Sequence, residues 1–202
     1  MTCQYSSPIF VNDDVLIASA GIRRLIPSDR WGFYECINLL GGGFPRPESI
    51  SAAAELIDQL NAIEARSRVI CWAVVDSRNT YRGHIVLDRN APPNHGHASI
   101  GIWIDPMWQR RGFGTSALTK ALAETWRKDP QIQRIDAVCL PENRAARRVL
   151  AKTGFNLLAT LVGQQLVAGT FRDMELWCKG RSKIRPEGGA KSGHLGGVAA
   201  RA

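Results

Sequence analysis

The sequence predicts an α/β (α+β) fold in which helices flank a central, mixed and largely antiparallel sheet. Two stretches of helical period, residues 29–40 and 50–63, precede a series of short β-branched runs. From residue 98 onward the order is strand, helix, strand, helix, strand, strand. The 202 residues, 45% of them hydrophobic, suffice for one domain with its own core and no disulfide or metal staple.

Val15 to Ile17 and Ile22 to Ile26 read as a first hairpin, or as one strand with its lead-in, stopped by Pro27. Ser28 is a natural N-cap for the helix that follows. There Trp31, Phe33, Tyr34, Ile37 and Leu40 recur at helical spacing until Gly41-Gly42-Gly43 ends the element. Beyond Pro45 and Pro47, Ile50, Ala53, Ala54, Ile57, Leu60 and Ile63 define a second helix. Val69 to Val75 is a continuous apolar run, as expected of a strand covered on both faces. Asp76 to Thr80 turns the chain, and Gly83 to Leu87 returns as the other half of a hairpin. In the strand Ala98 to Ile104, Ser99, Gly101 and Trp103 alternate with Ile100, Ile102 and Ile104, so one face is aliphatic and the other small or aromatic. The next helix, ending near Trp126, pairs Ala117/Leu118, Ala121/Leu122 and Thr125/Trp126 along a buried stripe. A strand at 132–140, a helix at 143–152 and strands at 155–162 and 170–178 complete the order.

The run Gln109-Arg110-Arg111-Gly112-Phe113-Gly114-Thr115 joins a strand to a helix. Two glycines there leave the backbone open to a ligand, the first helical turn has N–H groups without intrahelical acceptors, and the helix dipole adds positive potential. Arg110 and Arg111 bring mobile charge to the same turn. The reading is an anion cradle. It matches neither Gly-x-Gly-x-x-Gly nor Gly-x-x-x-x-Gly-Lys-Ser/Thr, which sets dinucleotide-binding and P-loop folds aside. Some thirty residues on, Asn143-Arg144-Ala145-Ala146 leads through Leu150 to Gly154-Phe155, a pattern that also suits an amphipathic helix with a glycine C-cap.

Gln-x-x-Gly-x-Gly after Asp105-Pro106 resembles the pyrophosphate-binding loop of the GCN5-related N-acetyltransferase (GNAT) family. The second run is similar to that family's Asn-x-x-Ala-x-x-x-(Tyr or Leu)-x-x-x-Gly-Phe motif. The likeness covers about residues 15 to 178, and Gly154-Phe155 with Gly169-Thr170-Phe171-Arg172-Asp173 looks like the ribosomal-protein (RimJ/RimL-like) branch. The resemblance implies a sheet splayed between its fourth and fifth strands and acetyl-CoA, or another acyl-CoA, as cosubstrate. By it, Gln109, Arg110, Arg111, Gly112, Phe113, Gly114 and Thr115 would hold the pyrophosphate. Backbone groups at Ile102, Trp103 and Ile104 would pair with the pantetheine arm, and Asn143 would hydrogen-bond it. A neutral amine would attack the thioester directly, with no covalent acyl-enzyme. Many relatives carry a tyrosine where this chain has Leu150, and leucine cannot protonate a departing thiolate. Cys139, Glu142, His97 and Ser99 stand as alternative donors, without a way to choose among them, and the base is unassigned.

The five cysteines, at 3, 36, 71, 139 and 178, are scattered and lack Cys-x-x-Cys spacing, so reduced thiols are expected. His84, His95 and His97 are close in sequence but come without a carboxylate or thiol, and no metal is expected. No apolar stretch approaches the roughly 18 residues of a membrane span, and Met1-Thr2-Cys3-Gln4 starts neither a basic nor an apolar signal region. A cytoplasmic protein without a membrane partner is expected. Of the net charge of +8, residues 179–202 carry six Lys or Arg against one Glu. We therefore expect a catalytic domain over 1–178 and a basic, glycine-rich, disordered tail over 179–202.

Four functions fit these features. The first is acetylation of a small-molecule amine, the second of a peptide or protein N-terminus. A third is aminoacyl transfer from tRNA, with Arg110, Arg111, Arg144, Arg147, Arg148 and Lys152 as its basic footprint. The fourth is a nonenzymatic coenzyme sensor. The intact cradle favours coenzyme A over tRNA as donor. Trp31, Tyr34, Phe44 and Trp103 are candidates to line the acceptor site. The sequence says nothing of oligomeric state.

Overall fold

A computed structural model describes residues 19–40, 46–65, 69–89, 96–167 and 169–181. The elements run β1 (Gly21–Arg24), α1 (Arg30–Leu40), α2 (Ile50–Ala65), β2 (Val69–Val75), β3 (Tyr81–Asp88), β4 (His97–Ile104), α3 (Phe113–Lys128), β5 (Arg134–Cys139), α4 (Arg144–Lys152), β6 (Asn156–Val167) and β7 (Thr170–Gly180). They build one seven-stranded sheet in the order β1-β2-β3-β4-β5-β7-β6. β4 and β5 are parallel, and the other neighbours pair antiparallel.

Alternation in β2 explains why both faces are covered. Ile70, Trp72 and Val74 join Ile85, Leu87, Ala98, Ile100 and Ile104 against the α3 residues Phe113, Ala117, Leu118, Ala121 and Leu122 and against Leu150 of α4. On the other face Cys71, Ala73 and Val75 meet Phe33, Cys36 and Ile37 of α1 and Ile57 and Leu60 of α2. Each fully buried Phe, Leu or Ile contributes about 1.5–3 kcal/mol toward holding these helices on the sheet. Thr125 completes the buried stripe of α3, and Trp126 is half-buried beside it.

The N-terminal region departs from expectation. Val15 to Ile17 lie outside the described residues, as do Gly41 to Gly43, Phe44 and His95. β1 stops at Arg24, and Ile26 is 39% exposed. Ser28 does not cap α1. Pro27–Asp29 form a 3-10 turn, and the Asp29 carboxylate accepts the Ile26 N–H at 2.9 Å. That carboxylate also takes two bonds from the Arg23 guanidinium, at 2.7 and 2.8 Å. A buried carboxylate with three donors outcompetes a serine hydroxyl for this corner.

At the other end the fold outlasts its expected boundary. Ile135 pairs with Lys179 and Arg134 with Gly180, so β7 continues past Cys178. The Lys179 ammonium donates to Thr153 O at 2.6 Å. Arg181 donates to the carbonyls of Ile132, Trp126 and Asp129. The first three residues assigned to the tail therefore belong to the folded unit.

Candidate active site

The site begins with an unfinished ladder. β4 and β5 pair through His97↔Arg134, Ala98↔Ile135 and Ser99↔Asp136, and no further. β4 goes on with β3 to Gly83↔Ile104, while β5 goes on with β7 to Cys139↔Glu175. The two strands part like a V, and the backbone polar groups on the inner edge of residues 100–104 face the opening instead of a strand. Ile102, Trp103 and Ile104 stand on that limb. β3 braces it closely: a Cβ on Gly83, whose φ is +152°, would lie 2.1 Å from Trp103 O. Trp103 stacks on His84 with centroids 5.0 Å apart, and its ring folds over Gly101, where an added Cβ would meet Cη2 at 2.4 Å.

The cradle sits at the open end. Asp105 caps a short 3-10 turn by accepting the Met107 N–H at 2.9 Å. Gln109 Nε2 donates to Ile104 O at 2.9 Å, stapling the loop to the end of β4. Arg110 (φ +60°) and Gly112 (φ +81°) are both left-handed, which turns the chain into α3. Its first intrahelical bond runs from Ser116 N–H to Gly112 O, so the N–H groups of Phe113, Gly114 and Thr115 lie ahead of the helical ladder. Two cradle residues also serve packing. Phe113 is 1% exposed and packs edge-on against Trp108 at 4.9 Å, so its side chain anchors the loop and only its backbone is available to a ligand. Gly114 serves helix packing: a Cβ there would come within 3.3 Å of Val149 on α4. Arg110 and Arg111 are exposed, and Arg111 lies over the Trp108 ring at 5.5 Å.

Asn143 caps α4, its Oδ1 accepting the Ala146 N–H at 3.0 Å, which leaves its NH2 as a donor at the end of the V. Leu150 is 4% exposed and belongs to the core. The four donor candidates do not meet. His97 lies at the closed end of the seam, seven residues and roughly 23 Å along β4 from Ile104. Ser99 is on the last rung before the strands part. Glu142 is exposed and ion-paired with Arg172. Cys139, the last residue of β5, is at the opening but buried. Burial first, and then the charge of Glu175, push its thiol up to about 11.

Sequence reading missed the group around Cys139. Glu175 is 6% exposed and accepts the Trp177 indole N–H at 3.0 Å, and Arg147 Nε lies 3.0 Å from the same carboxylate oxygen. A single glutamate inside the otherwise apolar run Met174–Cys178 was the available signal. Of the aromatic acceptor-site candidates, Trp31 is 58% exposed, while Tyr34 and Trp103 are half-buried. Among the described residues no group of three His, Cys, Asp or Glu side chains is arranged to hold a metal ion, and no helix is long and apolar enough to cross a membrane.

A sheet opened between two parallel strands, with a helix N-terminus turned toward the opening by glycine, is the architecture of an acetyltransferase. The sequence profile of the acetyltransferase (GNAT) domain matches residues 21–156, and the chain belongs to that family. It is 29% identical over 137 residues to the uncharacterized N-acetyltransferase YoaA of Bacillus subtilis (strain 168), covering 67% of this chain and 76% of YoaA. Among solved structures, Mycobacterium smegmatis RimJ in complex with CoA-disulfide superposes with a TM-score of 0.72 at 21% identity, over 83% of this chain and 85% of that one. A point mutant of spermidine N-acetyltransferase SpeG from Vibrio cholerae gives 0.69 at 21% identity, over 82% and 95%. These neighbours show the fold.

Proposed function

We propose that this protein transfers an acetyl group from acetyl-CoA to a primary amine within a ternary complex. The observation that carries the reading is the coincidence of two features at one end of the sheet. The β4–β5 ladder stops at Ser99↔Asp136, and the cradle begins five residues after β4 ends. An extended arm bearing amides needs the first, a pyrophosphate the second.

The donor fits the residues present. The N–H groups of Phe113, Gly114 and Thr115, with Arg110 and Arg111, would hold the pyrophosphate, and the open backbone of Ile102 to Ile104 would pair with the pantetheine amides. The Asn143 NH2, left unused by the cap, would be a further donor to the arm. When bound, acetyl-CoA supplies an activated acyl carbon. The chain's own part is to fix that carbon beside the amine, where proximity supplies much of the rate, and to polarise the carbonyl by a backbone N–H of β4, worth about 3 kcal/mol when preorganised. The acceptor is a small amine or a peptide N-terminus approaching from the α1–α2 face, where Trp103 lies. Relatives on this fold are named for ribosomal proteins and for spermidine, which spans both classes.

Two measurements test the reading. Acetyl-CoA, bound by the native state alone, should raise the melting temperature, by about 2.7 kcal/mol of stability at a hundredfold excess over Kd. A panel of amines, peptides and charged tRNAs should then give free-thiol release with an uncharged amine or peptide. No melting shift and no heat of binding at saturating acetyl-CoA would remove the coenzyme from the account, and steeply salt-dependent tRNA binding in its place would make tRNA the donor.

A further inference from the structure

One wall of the opening is aromatic. Trp103 lies on the β4 limb beyond the last β4–β5 rung, Ser99↔Asp136, and pairs directly with His84 of β3. The two rings are 5.0 Å apart and within 23° of parallel, so His84 covers one face of the indole. The other face is turned away from β3, toward the side on which β5 has parted. The ring also folds back along the strand over Gly101, where an added Cβ would meet Cη2 at 2.4 Å and Cζ3 at 2.7 Å. His84 holds this platform still: it is fully buried, its Nδ1 is 2.7 Å from the Tyr81 hydroxyl, and Phe33 stands edge-on to it at 5.2 Å. Across the opening is Val138. Ser99 and Asp136 form a rung and so point to one face of the sheet, and two residues further along Gly101 and Val138 point to that face as well. It is the face of α1 and α2, against whose cluster Trp103 packs. Val138 is 54% exposed there, and Leu176 pairs beside it from β7.

We propose that the indole face of Trp103 and Val138 form an apolar slot that selects the acceptor, a primary amine carrying an uncharged, planar apolar group within a few carbons of its nitrogen. The proposal rests on the acetyl-CoA reading above, which puts the acyl carbon against the backbone of the same β4 residues. An aromatic group laid on the indole gains stacking in addition to burial, and a platform already fixed by His84 loses little freedom in binding it. A second cationic group finds no free counterpart. The acidic side chains of β5, of β7 and of the turn between β5 and α4 are all engaged: Asp136 by Arg134, Glu142 by Arg172, Asp173 by the Gly163 N–H and Glu175 by Arg147. Trp103 and Val138 are thus specificity-determining side chains that take no part in bond making.

The test compares phenylpropylamine with propylamine and diaminobutane as acceptors for the full-length protein, by thiol release from acetyl-CoA at equal concentrations of neutral amine. In the wild type the aromatic amine should exceed both others by at least about tenfold in kcat/KM, the scale on which an apolar pocket discriminates, with the difference mostly in KM. Trp103→Leu removes the ring and Gly101→Ala displaces it, so each should lose most of that preference while the heat of coenzyme binding persists. Val138→Ser, at an exposed position, should lower the preference severalfold with the melting temperature unchanged. Equal efficiency with propylamine, or a preference for the diamine, overturns the proposal. So does an unchanged preference in Trp103→Leu or Gly101→Ala, or a protein that binds acetyl-CoA and acetylates none of the three amines. If Trp103→Leu does not fold, the wild type, Gly101→Ala and Val138→Ser decide it. Absence of any heat of acetyl-CoA binding to the wild type is a separate outcome, which overturns the acetyl-CoA reading and this proposal with it.

Discussion

Gly112 and Leu150 show how much one position of this fold can decide. At φ +81° Gly112 is in the left-handed region, where a β-branched side chain costs about 1–3 kcal/mol. Gly112→Val should therefore lower stability by that amount and abolish coenzyme binding, because its side chain also projects into the cradle. Gly112→Asn separates the two effects, since asparagine tolerates this conformation. Melting temperature should be nearly unchanged and coenzyme affinity sharply reduced. A folded Gly112→Asn protein with wild-type affinity would sink the cradle assignment. Leu150→Ala, by contrast, empties a core position and should cost about 2–5 kcal/mol in denaturant unfolding while coenzyme still binds. Intact stability with lost turnover would show that this residue serves chemistry and not packing.

At the scale of elements, the turn between β2 and β3 carries its own electrostatic clasp. The Asp76 carboxylate accepts the N–H groups of Arg78 and Thr80, at 2.9 and 3.0 Å, and Arg82 Nε at 2.9 Å. Burial pushes its pKa up, but these donors, Thr80 first, together outweigh it and hold the carboxyl below its ordinary value. A carboxylate with a lowered folded pKa stabilises the native state above its unfolded pKa and loses that contribution as pH falls through the folded one. Asp76→Asn should cost about 1–2 kcal/mol at pH 7, with the gap to the wild type closing below about pH 4. A gap independent of pH would mean that the Asp76 charge is immaterial. The elements themselves were legible because period and apolarity coincide: Val69–Val75 is β2 as read, and the stripe of α3 is the buried one. The cap of α1 was not, because Asp29 takes the Ile26 N–H and the Arg23 guanidinium in a side-chain geometry that residue spacing does not disclose. In the site, the glycine turn between β4 and α3 was legible from local turn chemistry, while Gln109 entered only through the family resemblance. Arg147, Glu175 and Trp177 could not, since β7 brings Glu175 to Cys139 from 36 positions away in sequence.

For the whole molecule, the question is where folding ends and the basic tail begins. Composition alone puts the boundary after Cys178, because the glycine-rich, aromatic-free stretch beyond it offers no apolar period. The sheet puts it later. Lys179 and Gly180 fill the last rungs against β5, the Lys179 ammonium closes the C-terminus of α4 through Thr153 O, and Arg181 ties three carbonyls of the α3–β5 connection. Truncation after Arg181 should leave melting temperature and coenzyme binding unchanged. Truncation after Cys178 removes these bonds and exposes the carbonyls they satisfy, and should cost about 2–4 kcal/mol. Comparing the two by thermal unfolding locates the boundary. Equal stability would mean that residues 179–181 are passengers, whereas loss of acceptor binding in the Arg181 truncation would make the tail part of the recognition surface. In that case a strong salt dependence in the full-length protein would identify an anionic acceptor.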